Sequence, residues 1–220
     1  MRERNSQTRP GQKHRKYRGE AATTQSARPL VWFLTENSHK FREACAILAP
    51  SGIPIRQLSR KKVELQDSNP EKIARFALET AIEQYKRLIL VEDSGLFIDE
   101  LNGFPGPFAS FTLETIGLAG ILELLRRSRR RSAYYQSSIV LGSPSISPRV
   151  FTGRVKGRIS NRILGSGGFG YDPIFVPNGS KMTFGQSSDD FKNRTSHRAR
   201  AFARMARWYN LRYGRRKGPI

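Results

Sequence analysis

The chain has 220 residues, of which 37% are hydrophobic, so it can bury a core of ordinary size in one domain or in one domain with a small lobe. Its single cysteine, Cys45, excludes an intrachain disulfide and a cysteine-based zinc site, and no apolar run approaches the roughly 20 residues that span a bilayer. The 39 Lys and Arg residues outnumber 18 Asp and Glu residues, and the net charge of +21 is compatible with a phosphorylated substrate, RNA, an anionic membrane or a solvated surface without a partner.

Both ends of the chain are predicted to lie outside the folded domain. Residues 1–28 hold eight Lys and Arg residues and two Glu residues without apolar periodicity, which predicts a disordered basic arm. The arm is arginine-rich like an organelle-targeting sequence but lacks an apolar face, so we expect a cytoplasmic protein with no membrane partner. Residues 29–213 form the domain, and residues 214–220 form a second basic tail.

Buried strands and amphipathic helices alternate in the first half of the domain. Residues 30–34 are apolar without alternation, as in a strand covered on both faces, and the spacing of apolar residues predicts a helix over 38–48. Asn69, which is followed by proline, predicts the start of a second helix that ends near Tyr85. Residues 88–91 then form another buried strand.

The second half of the domain continues this alternation. A helix is predicted over 119–130, and strands over 134–141 and 149–159 are expected to form a hairpin lobe across the Ser- and Pro-rich turn 142–148. The last helix is predicted from about 196 to 213. Strands that alternate with helices indicate an α/β core.

The first candidate site is the turn between the first strand and its helix, residues 35–40. Free backbone amides at a helix N-terminus attract phosphate, and Lys40 one turn inside the helix adds a positive charge. An ordinary strand-to-helix turn capped by Ser or Asn explains the same residues.

The second candidate follows the strand 88–91 and contains Glu92, Asp93, Ser94 and Gly95. Ligands collect at the carboxyl ends of strands in open α/β sheets, so two carboxylates there could hold Mg²⁺ against phosphate oxygens. Glu64 could supply another carboxylate. Asp-Ser-Gly is also common turn chemistry, which is the competing interpretation.

The third candidate is the glycine-rich segment 165–170, which satisfies the pattern G-x-G-x-x-G. The segment that follows cannot open a helix, so this is not a dinucleotide fingerprint. A glycine loop with Phe169, Tyr171 and Asp172 suits the close approach of a ligand that stacks on an aromatic ring. A plain loop with core aromatics is the alternative.

The fourth candidate is the donor-rich segment 192–198, which contains Lys192, His197 and Arg198 at the start of the last helix. A phosphate or a purine edge would suit it, and a solvated basic turn is the alternative. The chain contains no G-x-S-x-G elbow, no H-E-x-x-H and no Walker loop, which argues against several other catalytic schemes.

Six segments occur along the chain in this order: Thr35-x-Asn37-x-x-Lys40, Glu64, Glu92-Asp93-Ser94-Gly95-Leu96, Gly103-x-Pro105-Gly106-Pro107, Phe169-Gly170-Tyr171-Asp172-Pro173 and Ser196-His197-Arg198. Together they resemble the inosine triphosphate pyrophosphatase family, also called the Ham1 or noncanonical purine NTP pyrophosphatases. The resemblance covers about residues 30–210. It implies an α/β fold with a mixed central sheet flanked by helices, two lobes around a long nucleotide-binding cleft, and a homodimer.

The resemblance also implies an activity, a cofactor and a role for each matched residue. The expected activity is Mg²⁺-dependent hydrolysis of ITP, dITP and XTP to the monophosphate and pyrophosphate, which clears the nucleotide pool. Thr35, Asn37 and Lys40 would hold the triphosphate, Glu64 and Asp93 would bind the metal, and Asp93 with Lys40 would carry catalysis, Asp93 as the base for the attacking water. The base pocket and its surroundings would comprise Ser94, Phe169, Gly170, Tyr171, Asp172, Lys192, His197 and Arg198.

Three positions depart from the family pattern. Glu36 stands where a small residue is usual, and Ala77 and Ser110 stand where relatives carry a lysine. Together with the high charge, these departures motivate an alternative: a repurposed member with weak or no catalysis that binds RNA or a ribonucleoprotein through its basic tails.

Overall fold

The structure is a computed structural model that describes residues 28–214. Apart from Arg28 and Gly214, the predicted basic arm and tail lie outside the described residues. Within residues 28–214, no helix is both long enough and apolar enough to cross a membrane.

The described chain folds around one mixed sheet. Its elements are β1 (Val31–Leu34), α1 (Ser38–Leu48), β2 (Ile55–Leu58), α2 (Pro70–Tyr85), β3 (Ile89–Ile98), β4 (Pro105–Gly106), α3 (Ala109–Thr115), α4 (Gly117–Leu124), β5 (Ser132–Ser143), β6 (Ile146–Ile159), β7 (Phe175–Pro177), α5 (Asp189–Thr195) and α6 (His197–Tyr213). The strand order is β2-β1-β3-β5-β6-β7, with β4 also beside β3. Strand β1 runs parallel to β2 and β3, and the remaining pairs are antiparallel. The predicted mixed α/β fold is confirmed.

Three helices begin where their capping residues predict. The side-chain oxygen of Asn37 accepts from the Lys40 amide at 3.0 Å, and that of Asn69 accepts from the Glu71 amide at 2.9 Å. The Ser196 hydroxyl oxygen accepts from the Ala199 amide at 3.2 Å and caps α6. These bonds satisfy amides that have no partner inside the helix, so α1, α2 and α6 start close to the predicted positions.

Strand β3 does not end at residue 91, so the interpretation of Asp93 as a residue after the strand was wrong. Asp93 and Ser94 lie inside β3, where they pair with Ser138 and Ser137 of β5. Gly95 allows β4 to lie close to β3, because a Cβ at this position would lie 2.4 Å from the carbonyl oxygen of Gly106. The strand that ends beside the polar residues is instead its parallel neighbour β1, and the candidate phosphate turn follows it.

Two other boundaries differ from the prediction. The hairpin of β5 and β6 is present, but β5 pairs with the whole length of β3, so the hairpin belongs to the central sheet and not to a separate lobe. Helix α4 ends at Leu124, because the Arg131 guanidinium donates to the carbonyls of both Leu125 and Ile159 at 2.9 Å and holds the chain against the sheet. The short elements β2, β4, β7, α3 and α5 were not predicted.

The apolar core is divided along the long strands. At one end, Leu90 packs with α1 and α6 on one face of the sheet, and Val91 packs with α2 on the other. Toward the other end, Leu96 packs with residues of α4, β5, β6 and β7. Polar side chains of β3 and β5 lie between the two regions, which agrees with the predicted two-lobed arrangement.

Gly153 allows α6 to lie directly against the sheet. A Cβ at this position would be 2.1 Å from the carbonyl oxygen of His197 and 2.5 Å from the amide nitrogen of Ala201. Gly153 pairs with Ser137 of β5, so the first turn of α6 lies over the polar part of the sheet. The glycine therefore determines how near His197 and Arg198 come to β3.

We predict that Gly153→Ala destabilises the protein by about 3 kcal/mol, because its neighbours are backbone atoms that cannot rotate away. The matched control is Gly179→Ala, which has a φ of +83° but no atom within 4 Å of the added carbon, and it should cost roughly 1 kcal/mol. Urea denaturation measures both. Equal losses of stability would show that the close approach of α6 is not tightly constrained.

Candidate active site

Glu92 is at the centre of the polar residues on β3. Its carboxylate is buried and accepts from the Ser137 hydroxyl at 2.7 Å. Lys40 lies 2.8 Å away and Arg198 lies 3.2 Å away, each on a different carboxylate oxygen. Burial alone would raise the pKa of Glu92, but the charges of Arg198 and Lys40 hold this pKa well below its usual range. Glu92 is therefore a permanent anion that links α1 to α6.

Asp93 points to the opposite face of the sheet and has one oxygen without a partner. Its Oδ1 lies 2.9 Å from Lys62 Nζ, while its buried Oδ2 has no hydrogen-bond partner within the described residues. Burial raises the pKa of Asp93, and the charges of Lys62 and Lys40 only partly oppose that shift. A buried anionic oxygen without a donor is a place for a cation or a proton.

The candidate phosphate turn joins β1 to the capped N-terminus of α1. The Asn37 amide donates to the Thr35 hydroxyl oxygen at 3.1 Å, while the Thr35 carbonyl accepts from the side chain of Gln57 at 2.9 Å. Lys40 follows in the first turn of α1 with its ammonium group at the Glu92 carboxylate. Glu36 is exposed to solvent, so its charge need not face a ligand held by this turn.

A second group of buried charges connects α1, α5 and α6. Glu43 lies 2.6 Å from Lys192 Nζ and 2.5 Å from Arg198 Nη1. Lys192 also binds Asp172, whose Oδ2 accepts from the Phe169 amide at 2.7 Å. Burial raises the pKa of Asp172, although Lys192 opposes this shift. Lys192 and Arg198 thus share Glu43, and Lys192 also holds the loop that carries Phe169.

The aromatic ring of Phe169 lies over this charged group. Lys192 Nζ is 4.4 Å from the ring centroid, and the guanidinium carbon of Arg198 is 5.4 Å from it. The imidazole of His39 stacks on the same ring, with centroids 5.1 Å apart and planes 29° apart. The ring therefore accepts a flat aromatic partner next to the phosphate turn.

His197 and Ser94 complete the neighbourhood of Arg198. His197 is buried and stacks on Tyr135 at 4.5 Å, and its Nδ1 has no hydrogen-bond partner among residues 28–214. Burial and the charge of Arg198 hold the pKa of His197 well below its usual range, so the ring is neutral. Arg198 Nη2 donates to the Ser94 hydroxyl oxygen at 3.3 Å.

Not every predicted residue faces this group. Tyr171 is buried in the core, where its hydroxyl donates to the Ala109 carbonyl at 2.8 Å, so its ring is part of the packing. Gly170 has a φ of +65° and shapes the turn before it. Glu64 is exposed and reaches Asp93 only through Lys62, which lies 3.3 Å from Glu64 Oε1. Ala77 lies on the buried face of α2, in the core.

Two residues of this site were missed in the sequence. Glu43 has no neighbouring motif, and its only signal is that it lies one helical turn after Lys40. Lys62 belongs to the irregular segment between β2 and α2, where the basic run 60–62 looks like a solvated turn. Each is placed by tertiary contacts with a buried carboxylate.

The residues present fit a magnesium ion that is completed by a ligand. Among the described residues, no group of three or more His, Cys, Asp and Glu side chains could hold a metal ion by itself. Asp93 offers one unpartnered oxygen, and Glu64 contacts the same Lys62 ammonium group as Asp93. Mg²⁺ commonly uses one or two carboxylates together with phosphate oxygens and water, so this donor set suits it better than zinc.

Known proteins share the sequence pattern and the fold of this chain. Residues 31–208 match the profile of the Ham1 family. A dITP/XTP pyrophosphatase of Saccharolobus solfataricus is 45% identical over 176 residues, which are 80% of this chain and 91% of that protein. A dITP/XTP pyrophosphatase of Methanopyrus kandleri is 42% identical and covers 81% of this chain and 95% of its own. The structure of a HAM1 protein from Coxiella burnetii superposes with a TM-score of 0.75 at 27% identity, over 83% of this chain and 99% of that one.

We predict that Arg198→Met destabilises the protein by about 3–5 kcal/mol, because it leaves Glu92 and Glu43 buried with too little positive charge. The double variant Arg198→Met with Glu92→Gln should lose clearly less than the sum of its parts, since one unpaired anion is removed. Arg207→Met, on the exposed side of α6, should change stability by no more than about 0.5 kcal/mol. Additive losses in chemical denaturation would contradict the coupling.

Proposed function

The chain belongs to the Ham1 family, and from this membership and the site on β3 we propose that it hydrolyses ITP, dITP and XTP to the monophosphate and pyrophosphate. The observation that carries the proposal is the unpartnered, buried oxygen of Asp93 on β3, next in the strand to Glu92, which binds Lys40 of α1. Relatives that cover most of this chain are named as dITP/XTP pyrophosphatases.

We propose that the triphosphate is held by the turn between β1 and α1. The first amides of α1 and the hydroxyl of Thr35 are donors for phosphate oxygens, and Asn37 fixes the turn as the helix cap. The Lys40 ammonium group already binds an anionic oxygen, that of the Glu92 carboxylate. A phosphate oxygen next to Glu92 would meet the same ammonium group. The positive charge of Lys40 would offset the repulsion between the negative oxygens of a triphosphate.

Asp93 and Glu64 would hold Mg²⁺, which supplies charge neutralisation for the phosphate oxygens. Asp93 would also orient the attacking water and accept its proton. The water oxygen then bonds to phosphorus while the anhydride bond between the α- and β-phosphates breaks, and pyrophosphate leaves. The raised pKa of Asp93 suits a base, because a carboxylate with an ordinary pKa binds a proton more weakly.

We propose that the purine stacks on Phe169, where His39 shows that a flat ring fits. Lys192 and Arg198 lie over this ring, His197 precedes Arg198 at the start of α6, and Asp172 fixes the loop that carries Phe169. Hydrogen-bond donors of the protein at this position favour the 6-oxo group of hypoxanthine or xanthine, which is an acceptor. The 6-amino group of adenine is itself a donor and would not pair with them. A buried polar group left unpaired discriminates strongly between such substrates.

We further propose a homodimer that works in the cytoplasm, as the family resemblance implies. Support for a second copy comes from exposed apolar side chains on the helices after β4: Phe108, Phe111 and Leu124 are 46%, 67% and 53% exposed. The alternative of an inactive member that binds RNA through its tails is not supported, since the matched relatives are named as enzymes.

The dimer is tested by light scattering coupled to size exclusion. We expect a mass of two chains for the natural protein, and a shift toward one chain for Phe111→Ser, because an apolar interface is weakened by a polar side chain. Leu211→Ser, which changes an even more exposed apolar residue on α6, is the control. A single-chain mass for the natural protein at micromolar concentration would refute the proposal.

The activity is tested with a panel of nucleotides and a pyrophosphate assay. We expect release from ITP, dITP and XTP to exceed release from ATP clearly and to require Mg²⁺. Asp93→Asn should lower kcat by about 10²–10⁴, the usual contribution of a positioned base. Asp99→Asn, at the far end of β3, should leave kcat unchanged. Folded protein without turnover of any of the three substrates would overturn the proposal.

A further inference from the structure

The surface formed by β6 and α6 carries charge that the proposed hydrolysis does not use. Residues 124–171 and 191–220 contain no Asp or Glu, and the fold places parts of these two segments side by side. Arg154 and Lys156 of β6 and Arg200 of α6 are exposed there, and none of them pairs with a carboxylate of residues 28–214. In the active site, by contrast, the cations are paired with carboxylates.

Arg154 is held in one position, which is unusual for an exposed arginine. Its guanidinium lies 4.2 Å from the ring centroid of Tyr134, and Tyr134 stacks on Phe97 at 4.8 Å with an angle of 6° between the planes. Two of its nitrogens donate to Gln136 Oε1 at 2.6 and 3.2 Å. Gln136 is neutral, so the charge of Arg154 is not compensated and its outer face stays open.

A cavity of about 310 Å³ lies next to this arginine. Its lining includes Arg154, Lys156, Asn178 and Arg200, so it is rich in donors. Arg200 is fixed there because its Nη1 donates to the Arg154 carbonyl at 2.8 Å. Such a cavity has room for a phosphate group, and fixed cations bind it with little loss of side-chain entropy.

We propose that this surface binds single-stranded nucleic acid, with backbone phosphates at Arg154 and Lys156 in and beside the cavity and a base stacked on the outer face of Arg154. A fixed guanidinium plane beside a cationic groove is the combination that binds unpaired nucleotides. A lipid surface is a poorer fit, because the large exposed apolar side chains of the described residues lie outside β5 and β6. The surface consists of Tyr134, Gln136, Arg154, Lys156, Asn178 and Arg200.

The test is fluorescence anisotropy of the full chain with labelled oligo-U and oligo-dT, measured across a salt series. The double variant Arg154→Gln with Lys156→Gln loses two phosphate contacts. It should reduce the slope of log K against log salt by roughly 1.4 and weaken binding about 20-fold at 0.1 M salt. The matched control is Arg87→Gln, which removes an arginine stacked 4.4 Å from the Trp32 ring, and a single lost charge there should change binding little.

The outcomes separate the alternatives. Weaker binding of the double variant, with its Tm unchanged, supports the proposal. The comparison of oligo-U with oligo-dT shows whether RNA or DNA is preferred. No binding, or equal binding by the double variant and the control, overturns it, since any affinity then comes from other basic segments. Binding of phosphatidylserine vesicles by this surface, without oligonucleotide binding, would assign it to membranes and overturn it as well.

Discussion

The burial of Glu92 is the constraint on which the rest of the site depends. A carboxylate taken out of water is very unfavourable unless it is paired, and Glu92 is paired with one cation from α1 and one from α6. Those cations are in turn placed by an N-cap at Asn37 and by the glycine that lets α6 touch the sheet. The positions of both helices are therefore coupled to a single charge on the central strand.

This coupling extends through Glu43 of α1 to the loop that carries Phe169. Arg198 and Lys192 share its two oxygens, and Lys192 continues to Asp172 in the loop that carries Phe169. The phosphate turn and the base loop are thus connected by alternating charges as well as by the stacking of His39 on Phe169. A ligand that draws Lys40 or Lys192 toward itself must weaken an existing ion pair, so binding and rearrangement of this network are linked.

The sequence predicts some parts of this arrangement better than others. Helix starts at Asn37, Asn69 and Ser196 are local, because a cap needs only its own side chain and the following amides. The polar stretch of β3 looks in the sequence like residues that follow a strand, since Asp-Ser-Gly has turn propensity and only pairing with β5 makes it a strand. Lys62 and Glu43 could not be found at all, because their partners are distant in sequence and each looks like an ordinary surface charge.

The two cationic regions of the molecule follow opposite rules. In the active site, each cation forms an ion pair with a buried or partly buried carboxylate. The cations are therefore fixed, but their charge is largely compensated. On β6 and α6, side chains are fixed by neutral partners, an aromatic ring, an amide oxygen and a backbone carbonyl, and the charge remains. Compensated charge suits a pocket that must distinguish one base from another by directed hydrogen bonds. Uncompensated charge suits a ligand recognised through repeated phosphates, because its attraction depends on the number of charges and little on their exact direction.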